Sequence, residues 1–291
     1  MSINSEIELV AFGSFTNDLI ENPEGVKGYF IGGSVCYFSF AAKALGLNVL
    51  PVGYISNEIQ GKELSLIKEM FDTSYLTSSD GLSFHIKYDK EWNAEYIKDL
   101  AEETERFNYR NVPIAPYVHV CVISNIDHQL EIMKYFKSRG CRVSGGTYLL
   151  RVEKDREKVM AIIDTCDLFF LNKVEAAALS RGKDMNELNE FMLSLDKNVV
   201  VTMGKEGAMF FSEGKVYTIP AVNIKPEDTT GAGESFAGGF LASFIREQDP
   251  IKALKYGATL ASFAIEDFGV SKIKKIKRED IEKRLKEAYN D

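Results

Sequence analysis

The segment at residues 228–240, DTTGAGESFAGGF, carries the residue types in this chain that are best suited to chemistry. Gly231 and Gly233 directly precede a helical pattern, so this loop places several backbone N–H groups at a helix N-terminus. Such an end carries about half a positive charge, and glycines let an anion approach the backbone closely. Glu234 follows in the first turn, where a carboxylate can take a proton from an attacking hydroxyl. The segment therefore predicts a phosphate site with its own general base.

A glycine-rich helix start also occurs in other kinds of site. A dinucleotide-binding loop, which would indicate an oxidoreductase, has its third glycine three residues after the second and lies in the first βαβ unit. Here the next glycine is Gly238, five residues after Gly233, and the segment lies late in the chain. The Walker A pattern, with Lys and then Ser or Thr after the glycines, is absent as well. A tight turn without a ligand stays open on this evidence alone.

Apolar strand patterns and amphipathic helix patterns alternate along much of the chain. The patterns predict strands at 7–12, 48–55, 117–123, 141–144, 168–171 and 198–203, a hairpin at 208–219, and helices at 33–45, 61–70, 129–138, 155–165, 174–180, 185–195, 232–247, 251–266 and 278–289. Alternation of this kind predicts an α/β fold with a mostly parallel sheet and helices on both faces.

Two stretches interrupt the alternation. Residues 15–30 are polar and spaced by glycines, and residues 82–97 alternate apolar and polar side chains. Together they predict the strands of a small, half-exposed sheet outside the main core. The chain shows no repeats and no linker rich in Pro, Gly or Ser, so we expect a single domain over residues 1–291 with a small β appendage.

Composition excludes several classes of function. The net charge is −8 and no basic block occurs, which argues against a nucleic-acid partner. The four cysteines are widely spaced and only three histidines are present, so neither a disulfide framework nor a zinc site is expected. The N-terminus lacks the features of a signal peptide, and no apolar run approaches the roughly twenty residues of a membrane span. The sequence predicts a cytoplasmic protein without a membrane partner.

Residues 228–234 closely resemble the C-terminal signature D-T-x-G-A-G-D of the ribokinase/PfkB family of carbohydrate kinases. Other landmarks follow in family order: Thr16-Asn17-Asp18 after the first strand, Gly32-Gly33 at the first helix, Asn172-Lys173-Val174-Glu175 after a strand, and Thr202-Met203-Gly204-Lys205-Glu206-Gly207. The resemblance implies a ribokinase-like three-layer α/β/α fold, with a mostly parallel central sheet and a small β lid formed from about residues 15–30 and 82–97.

The same resemblance implies an activity and its cofactors. An enzyme of this kind transfers the γ-phosphate of ATP to a hydroxyl of a small sugar, polyol or nucleoside, with Mg²⁺ in the site. Gly231, Ala232 and Gly233 would form the anion hole around the transferred phosphoryl group, and Glu234 would be the general base. Glu175 would organise Mg²⁺ through water, because this ion keeps most of its hydration shell.

The resemblance also implies how the two substrates would be held. The nucleotide side would comprise Asn172, Thr202, Gly204, Gly207 and Asp228. Asp18 would accept hydrogen bonds from the acceptor, with Gly32 and Gly33 beside it near the hinge of the lid. Some of these residue types have ordinary structural uses, since Asn is a common helix N-cap and Asp a common turn residue. A small sheet with an exposed apolar face often pairs with a copy of itself, so a homodimer through the lid and a monomer are both open.

The chain departs from the family pattern at two places. The family base is Asp, and this chain has Glu234. The family also commonly has an Asp after the strand at 141–144, where this chain has Gly145-Gly146-Thr147. The first departure sustains an alternative function, a ribokinase-fold ligand-binding or regulatory protein with impaired catalysis.

Overall fold

The computed structural model describes residues 6–25, 27–89, 94–99, 106–182 and 184–290. Its strands are β1 (Leu9–Glu21), β2 (Lys27–Gly32), β3 (Val49–Ser56), β4 (Leu76–Ser79), β5 (Phe84–Tyr88), β6 (Ala94–Asp99), β7 (Tyr117–Val120), β8 (Arg142–Gly146), β9 (Leu168–Asn172), β10 (Asn198–Thr202), β11 (Ala208–Ser212) and β12 (Lys215–Ile219). Its helices are α1 (Ser34–Ala44), α2 (Gly61–Met70), α3 (Ile126–Lys137), α4 (Leu149–Lys154), α5 (Arg156–Thr165), α6 (Lys173–Ser180), α7 (Met185–Ser194), α8 (Ala232–Glu247), α9 (Pro250–Ala264) and α10 (Arg278–Tyr289).

The central sheet has the strand order β12-β11-β10-β9-β8-β7-β1-β3-β4. The strands from β10 to β4 are parallel to one another, and only the β10–β11–β12 edge is antiparallel. Parallel strands that helices cover on both faces are buried on both faces, and β9 and β10 accordingly read LFFLN and NVVVT. The prediction of a mostly parallel α/β sheet is confirmed.

Two hydrophobic cores lie on opposite faces of this sheet. One packs α1, α8 and α9 against it and contains Phe40, Phe210 and Phe240. The other lies under α3, α5 and α7 and contains Phe136 and Ile162. The three-layer arrangement is therefore held by one large apolar cluster on each side of the sheet.

Helix α8 lies unusually close to its two neighbours because it carries adjacent glycines. A Cβ built on Gly238 would lie 2.4 Å from the carbonyl oxygen of Phe38 in α1, and one on Gly239 would lie 2.9 Å from that of Tyr256 in α9. No larger residue fits at either position without moving backbone. This close packing fixes the direction of α8, and with it the place where the helix begins.

A smaller sheet shares strand β1 with the central one. Residues 9–15 of β1 pair with β3 and β7, whereas residues 16–21 pair antiparallel with β2 and parallel with β5. Strand β6 extends this sheet beyond β5. One face of it carries a small apolar cluster made of Ile20, Ile86 and Tyr88, with Phe30, Phe84 and Phe268 packed against them. Residues 90–93 of the expected lid lie outside the described residues.

Several local differences separate the predicted elements from the observed ones. Strand β1 continues to Glu21 instead of ending near residue 12, because its polar second half finds partners in the small sheet. Helix α3 begins at Ile126, where the Asn125 side chain caps it by accepting a hydrogen bond from the His128 N–H. The sequence patterns do not predict strand β4 or helix α4. Among the described residues, every helix falls short of the length and apolar character that a membrane span needs.

Candidate active site

The predicted site residues gather at the carboxyl ends of the parallel strands. Strands β7, β9 and β10 end there, β1 leaves the central sheet there, and α1 and α6 begin there. Open parallel sheets bind their ligands at this edge, because the loops and helix N-termini that follow the strands converge on it. The start of α8 joins this edge, since the ring of Tyr37 in α1 packs against Gly231.

Two glycines at the start of α8 have different environments. Gly231 is the N-cap residue with φ 72°, and a Cβ built on it would lie 2.3 Å from ring carbons of Tyr37. A Cβ built on Gly233 would meet no atom within 4 Å. Gly231 is therefore required by backbone conformation and packing, whereas Gly233 borders open space. Because the first N–H groups of a helix have no intrahelical partner, the structure presents donors beside that space, as the sequence predicts for an anion site.

Glu234 lies in the first turn of α8 and is half-buried. Burial raises the pKa of its carboxyl group above the ordinary value, while its own backbone N–H favours the charged form. The charge of Glu234 in turn raises the pKa values of Glu175 and Cys121, so these side chains share one electrostatic neighbourhood. No other side chain in the described part of the chain hydrogen-bonds the Glu234 carboxylate. The carboxylate is therefore available to accept a proton.

Asn172 and Glu175 form a capping box at the start of α6. The Asn172 side-chain oxygen accepts the N–H groups of Val174 and Glu175, each at 2.9 Å. In return, Glu175 accepts the backbone N–H of Asn172 at 2.8 Å and its side-chain N–H at 2.7 Å. Burial, with the charge of Glu234 as a smaller contribution, raises the pKa of Glu175 to about 7. The N-cap use of Asn172 is thus realised, and it holds Glu175 in one orientation.

The residues present fit a hydrated Mg²⁺ ion better than a directly coordinated one. No group of three or more His, Cys, Asp or Glu side chains suited to a metal occurs among the described residues. Both carboxylate oxygens of Glu175 already accept hydrogen bonds from Asn172. Mg²⁺ commonly keeps several waters and uses one or two carboxylates together with substrate phosphates. Glu175 fits that pattern through water.

The residues predicted for the nucleotide side lie next to Asn172. Thr202 ends β10 and is paired in register with Asn172 at the end of β9. A 3₁₀ turn follows between Gly204, with φ 54°, and Gly207, with φ 105°. A Cβ on Gly207 would lie 2.0 Å from the Ile219 carbonyl oxygen, whereas one on Gly204 would meet nothing within 4 Å. Gly207 therefore serves the turn, and Gly204 faces outward.

Asp18 lies in the part of β1 that belongs to the small sheet, and its side chain is buried. One carboxylate oxygen accepts the Thr16 hydroxyl at 2.8 Å, and the other accepts the backbone N–H of Phe84 at 3.0 Å. Burial raises the pKa of Asp18 to about 7, although both hydrogen bonds favour the charged form. A Cβ built on Gly32 would lie 2.3 Å from the Asp18 carboxylate. Position 32 in the adjacent strand β2 therefore has to be glycine, because a side chain there would collide with the Asp18 carboxylate.

Gly33 allows β1 and the start of α1 to cross at close range. It is the N-cap residue of α1 with φ 97°, and a Cβ on it would lie 2.2 Å from the carbonyl oxygen of Ser14. The structure thus brings Asp18, Gly32 and Gly33 together, as the sequence predicts.

Asp228 is fully buried and holds three segments together. One carboxylate oxygen accepts the Tyr88 hydroxyl at 2.8 Å and the Thr230 N–H at 2.9 Å. The other accepts the Gly269 N–H at 2.9 Å. Asp228 is predicted on the nucleotide side, and in the structure its carboxylate points inward to these protein donors.

Sequence reasoning did not single out Tyr88. The signal was present, because Phe84, Ile86 and Tyr88 alternate along β5 and such residues share one face of a strand. A tyrosine on a buried face needs a partner for its hydroxyl. That partner could not be named, since Asp228 lies 140 residues away.

A family model for the pfkB family carbohydrate kinases matches residues 119–276, which is more than half of the chain. The matched region contains the capping box at Asn172, the turn after Thr202 and the start of α8. The chain belongs to the PfkB family. This PfkB kinase is a phosphotransferase with a hydroxyl acceptor, a sugar or a nucleoside, in a family that uses ATP.

Individual relatives of this PfkB kinase include enzymes for both kinds of acceptor. It is 24% identical over 276 residues to a cytidine kinase of Thermococcus kodakarensis, covering 90% of this chain and 98% of the relative. It is also 24% identical over 295 residues to an ATP-dependent 6-phosphofructokinase of Thermoanaerobacterium thermosaccharolyticum, covering 91% and 90%. The structure of Burkholderia thailandensis nucleoside kinase in complex with inosine has a TM-score of 0.82 at 16% identity, covering 97% and 99% of the two chains. That likeness shows the ribokinase-like fold.

Proposed function

We propose that this PfkB kinase transfers the γ-phosphate of ATP to a ribose hydroxyl of a nucleoside. The observation that carries the choice of acceptor is the aromatic surround of Asp18. Phe30 is paired directly opposite Asp18, so the two side chains share one face of the small sheet. Phe30 stacks on Phe268 with ring centroids 4.9 Å apart, and both rings are partly exposed. A buried acid beside partly exposed rings suits an acceptor with a polyhydroxyl part and a flat aromatic part.

The expected energies of the two contacts, ribose to Asp18 and base to aromatic ring, support a nucleoside acceptor. A hydrogen bond from a hydroxyl to a carboxylate contributes roughly 1.5–3 kcal/mol, which would fix the ribose on Asp18. Stacking of a base on an aromatic side chain contributes roughly 1–3 kcal/mol. The similarity to a cytidine kinase over 98% of that relative's length also supports a nucleoside acceptor.

Glu234 is proposed as the general base of the transfer. The acceptor hydroxyl gives its proton to the Glu234 carboxylate as its oxygen forms a bond to the γ-phosphorus. The bond from that phosphorus to the bridging oxygen of the β-phosphate breaks, and ADP leaves with the electron pair. The N–H donors at Gly231, Ala232 and Gly233 stabilise the charge on the transferred group.

Glu in place of the family Asp is compatible with this role. One added methylene moves a carboxylate by about 1 Å, and a misplacement of that size can cost about 10²-fold in rate. Burial raises the pKa of Glu234 toward the working pH, where a general base is most effective. The alternative of an impaired ligand-binding protein gains no support from the relatives.

The remaining predicted residues are proposed to hold ATP and its ion. Glu175 would contact Mg²⁺ through water, and the ion when bound would neutralise charge on the β- and γ-phosphates. Asn172, Thr202, Gly204 and Gly207 line the nucleotide side. The small sheet, from about residues 15–30 and 82–97, is proposed as a lid that shields the acceptor from water.

A phosphorylated sugar is the second acceptor considered, because of the similarity to a 6-phosphofructokinase. A phosphate group on the acceptor would need a cation in reach. Among the lysines of the small sheet whose side chains the structure describes, Lys27 and Lys87 both pair with Glu21, at 3.7 and 3.3 Å. This pairing favours an uncharged acceptor.

The test is an acceptor screen with the purified protein, ATP and Mg²⁺. Nucleosides, free sugars, polyols and fructose 6-phosphate are compared by the rate of ADP release, with product phosphorylation verified by mass spectrometry. We expect kcat/KM for at least one nucleoside to exceed that of every sugar by about 10² or more, since both the ribose and the base contacts are lost in a sugar. A sugar or sugar phosphate as the best acceptor would overturn the nucleoside proposal. Tight nucleoside binding in calorimetry without turnover would restore the ligand-binding alternative.

A further inference from the structure

Tyr88 connects the small sheet to the loop that precedes α8. Its side chain is buried, and its hydroxyl donates to the Asp228 carboxylate at 2.8 Å. The same hydroxyl is in hydrogen-bond contact with the Thr230 hydroxyl, in which either oxygen can donate. Burial raises the pKa of Tyr88, with the charge of Asp228 adding to the effect, so the hydroxyl keeps its proton across the physiological range. The donor in this contact is therefore permanent.

Asp228 is also connected to strand β2 of the small sheet, through residues 268–270. It accepts the Gly269 N–H, and the next residue, Val270, donates its N–H to the Ile31 carbonyl oxygen of β2 at 3.0 Å. The Phe268 ring stacks on Phe30 of the same strand. Strands β2 and β5 thus both reach one buried carboxylate, by way of residues 268–270 and of Tyr88 respectively.

The other contacts of Asp228 lead to the phosphate donors. Its carboxylate accepts the Thr230 N–H, one residue before the Gly231 N-cap of α8. Gly231 has a left-handed conformation that depends on the path of the preceding residues. A shift of Asp228 or Thr230 therefore changes where the N–H groups of residues 231–233 point.

We propose that Tyr88 is a positioning residue for phosphoryl transfer, whose hydroxyl holds Asp228 and Thr230 so that the donors of residues 231–233 are aligned when the small sheet is seated. The proposal rests on the proposed function, in which those donors stabilise the transferred group. The contacts of the Tyr88 hydroxyl with Asp228 and Thr230 would then couple acceptor binding on the small sheet to the alignment of the phosphate donors. An acceptor that seats the small sheet through Asp18 would thereby also order the anion hole.

The test compares Tyr88→Phe with the matched variant Tyr29→Phe. Tyr29 lies in β2 of the same sheet and is 65% exposed, so losing its hydroxyl should change nothing. Loss of a hydrogen bond to a charged group corresponds to roughly 10-fold or more in rate when it serves the transition state. We expect Tyr88→Phe to lower kcat by about 10-fold, with KM for ATP and for the acceptor within about two-fold. A purely structural role would lower the melting temperature and leave the kcat of the folded protein unchanged.

Two further measurements keep the result decisive. Thr230→Val removes the second hydroxyl, and in a double-mutant cycle its effect on kcat should be non-additive with that of Tyr88→Phe, since the two act through one contact. Amide hydrogen exchange of the peptide spanning residues 228–233 should be faster in Tyr88→Phe than in Tyr29→Phe. That readout needs no turnover, so it decides the positioning role even if the acceptor screen fails. Either an unchanged kcat or unchanged exchange at residues 228–233 in Tyr88→Phe would overturn the proposal.

Discussion

The two ends of the candidate site are built in different ways. The proposed phosphate end consists of the starts of two helices, α6 directly after strand β9 and α8 after a loop. Asn172 and Glu175, like Gly231 and Glu234, are therefore close in sequence. The acceptor end is assembled from distant segments: Asp18 lies on β1, and the backbone donor that binds it, Phe84, lies 66 residues away.

The carboxylates at the two ends differ in how firmly the protein holds them. Asp18 is held by two protein donors and is buried, whereas Glu234 is half-buried and receives no hydrogen bond from another side chain in the described chain. A fixed acid suits recognition, because its geometry selects a partner. A less constrained acid with a raised pKa suits proton transfer. The comparison therefore predicts that changes at the phosphate end act on kcat and changes at the acceptor end act on KM.

The largest effect is expected at Glu234. Glu234→Gln keeps the shape of the side chain and removes its basicity, so kcat should fall by about 10² or more while ATP affinity is preserved. Because glutamine does not titrate, the part of the acid limb that Glu234 contributes to the pH profile of kcat should also be lost, and burial places that part above the ordinary range of a carboxylate. The measurement is steady-state kinetics from pH 5 to 9 with the best acceptor. Glu227→Gln, a half-exposed neighbour before the loop, is the control, and a Glu234→Gln enzyme as fast as wild type would disprove the base assignment.

The second effect is expected at Asp18. Asp18→Asn keeps an acceptor for the Phe84 N–H and removes the charge, so loss of roughly 1.5–3 kcal/mol should raise KM for the acceptor by roughly 10- to 150-fold. Affinity for ATP should stay within a few-fold. Asp127→Asn, an exposed acid on α3, is the matched control. An equal loss of ATP binding in Asp18→Asn would erase the distinction between the two ends.

A third, smaller effect is expected at the two glycines at the start of α8, where substitution should change activity at one and stability at the other. Gly233→Ala meets no atom in the protein, and alanine favours a helix by about 1 kcal/mol over glycine, so stability should hold or rise slightly. The new methyl group would nevertheless stand in the phosphate space, and we expect about a 10-fold lower kcat/KM. Gly231→Ala should instead lower the melting temperature, because it strains a left-handed residue and meets the Tyr37 ring. Thermal melts and kinetics on both variants would check this, and equal melting behaviour would contradict it.

The smallest effect is a pH dependence of stability. The pKa of Asp18 is about 7 in the folded protein against 3.8 ordinarily, so the folded state binds more protons between these values. The stability that this protonation contributes is present below about pH 4 and is lost as the pH rises to about 7. Asp18→Asn should therefore raise the melting temperature at pH 8 by several degrees and little at pH 4. The same gain at both pH values would show that charge burial at Asp18 is not the cause.

The helix starts at the proposed phosphate end were predictable from sequence because the residues that form them are close together in the chain. A glycine loop followed by a helical pattern identified the start of α8, and the spacing of Asn172 and Glu175 is that of a capping box. Asp228 was assigned to the nucleotide because it stands in the same motif, and no sequence signal shows that its partners are Tyr88 and Gly269. Long-range hydrogen bonds of this kind depend on how separate strands fold together.

The acceptor end was predictable only in outline. Alternation at residues 82–97 indicated a small exposed sheet, yet strand β1 was expected to end near residue 12. The apolar first part of β1 and its polar second part look like two separate elements in sequence, because the first part pairs within the central sheet and the second within the small sheet. Only tertiary pairing joins them into one strand.

The continuity of β1 limits how this protein can be divided and recombined. The strand lies between β7 and β3 in the central sheet and continues without a break into the small sheet, with Phe15 and Thr16 both buried at the junction. The acceptor half is therefore not a cassette that can be exchanged between relatives by cutting at that junction. A chimera would have to cut within the turn at residues 22–25 and carry β1 with the ATP half. In such chimeras one parent would supply Asp18 on β1 and the other the remaining strands of the small sheet, so both parents would contribute to acceptor preference.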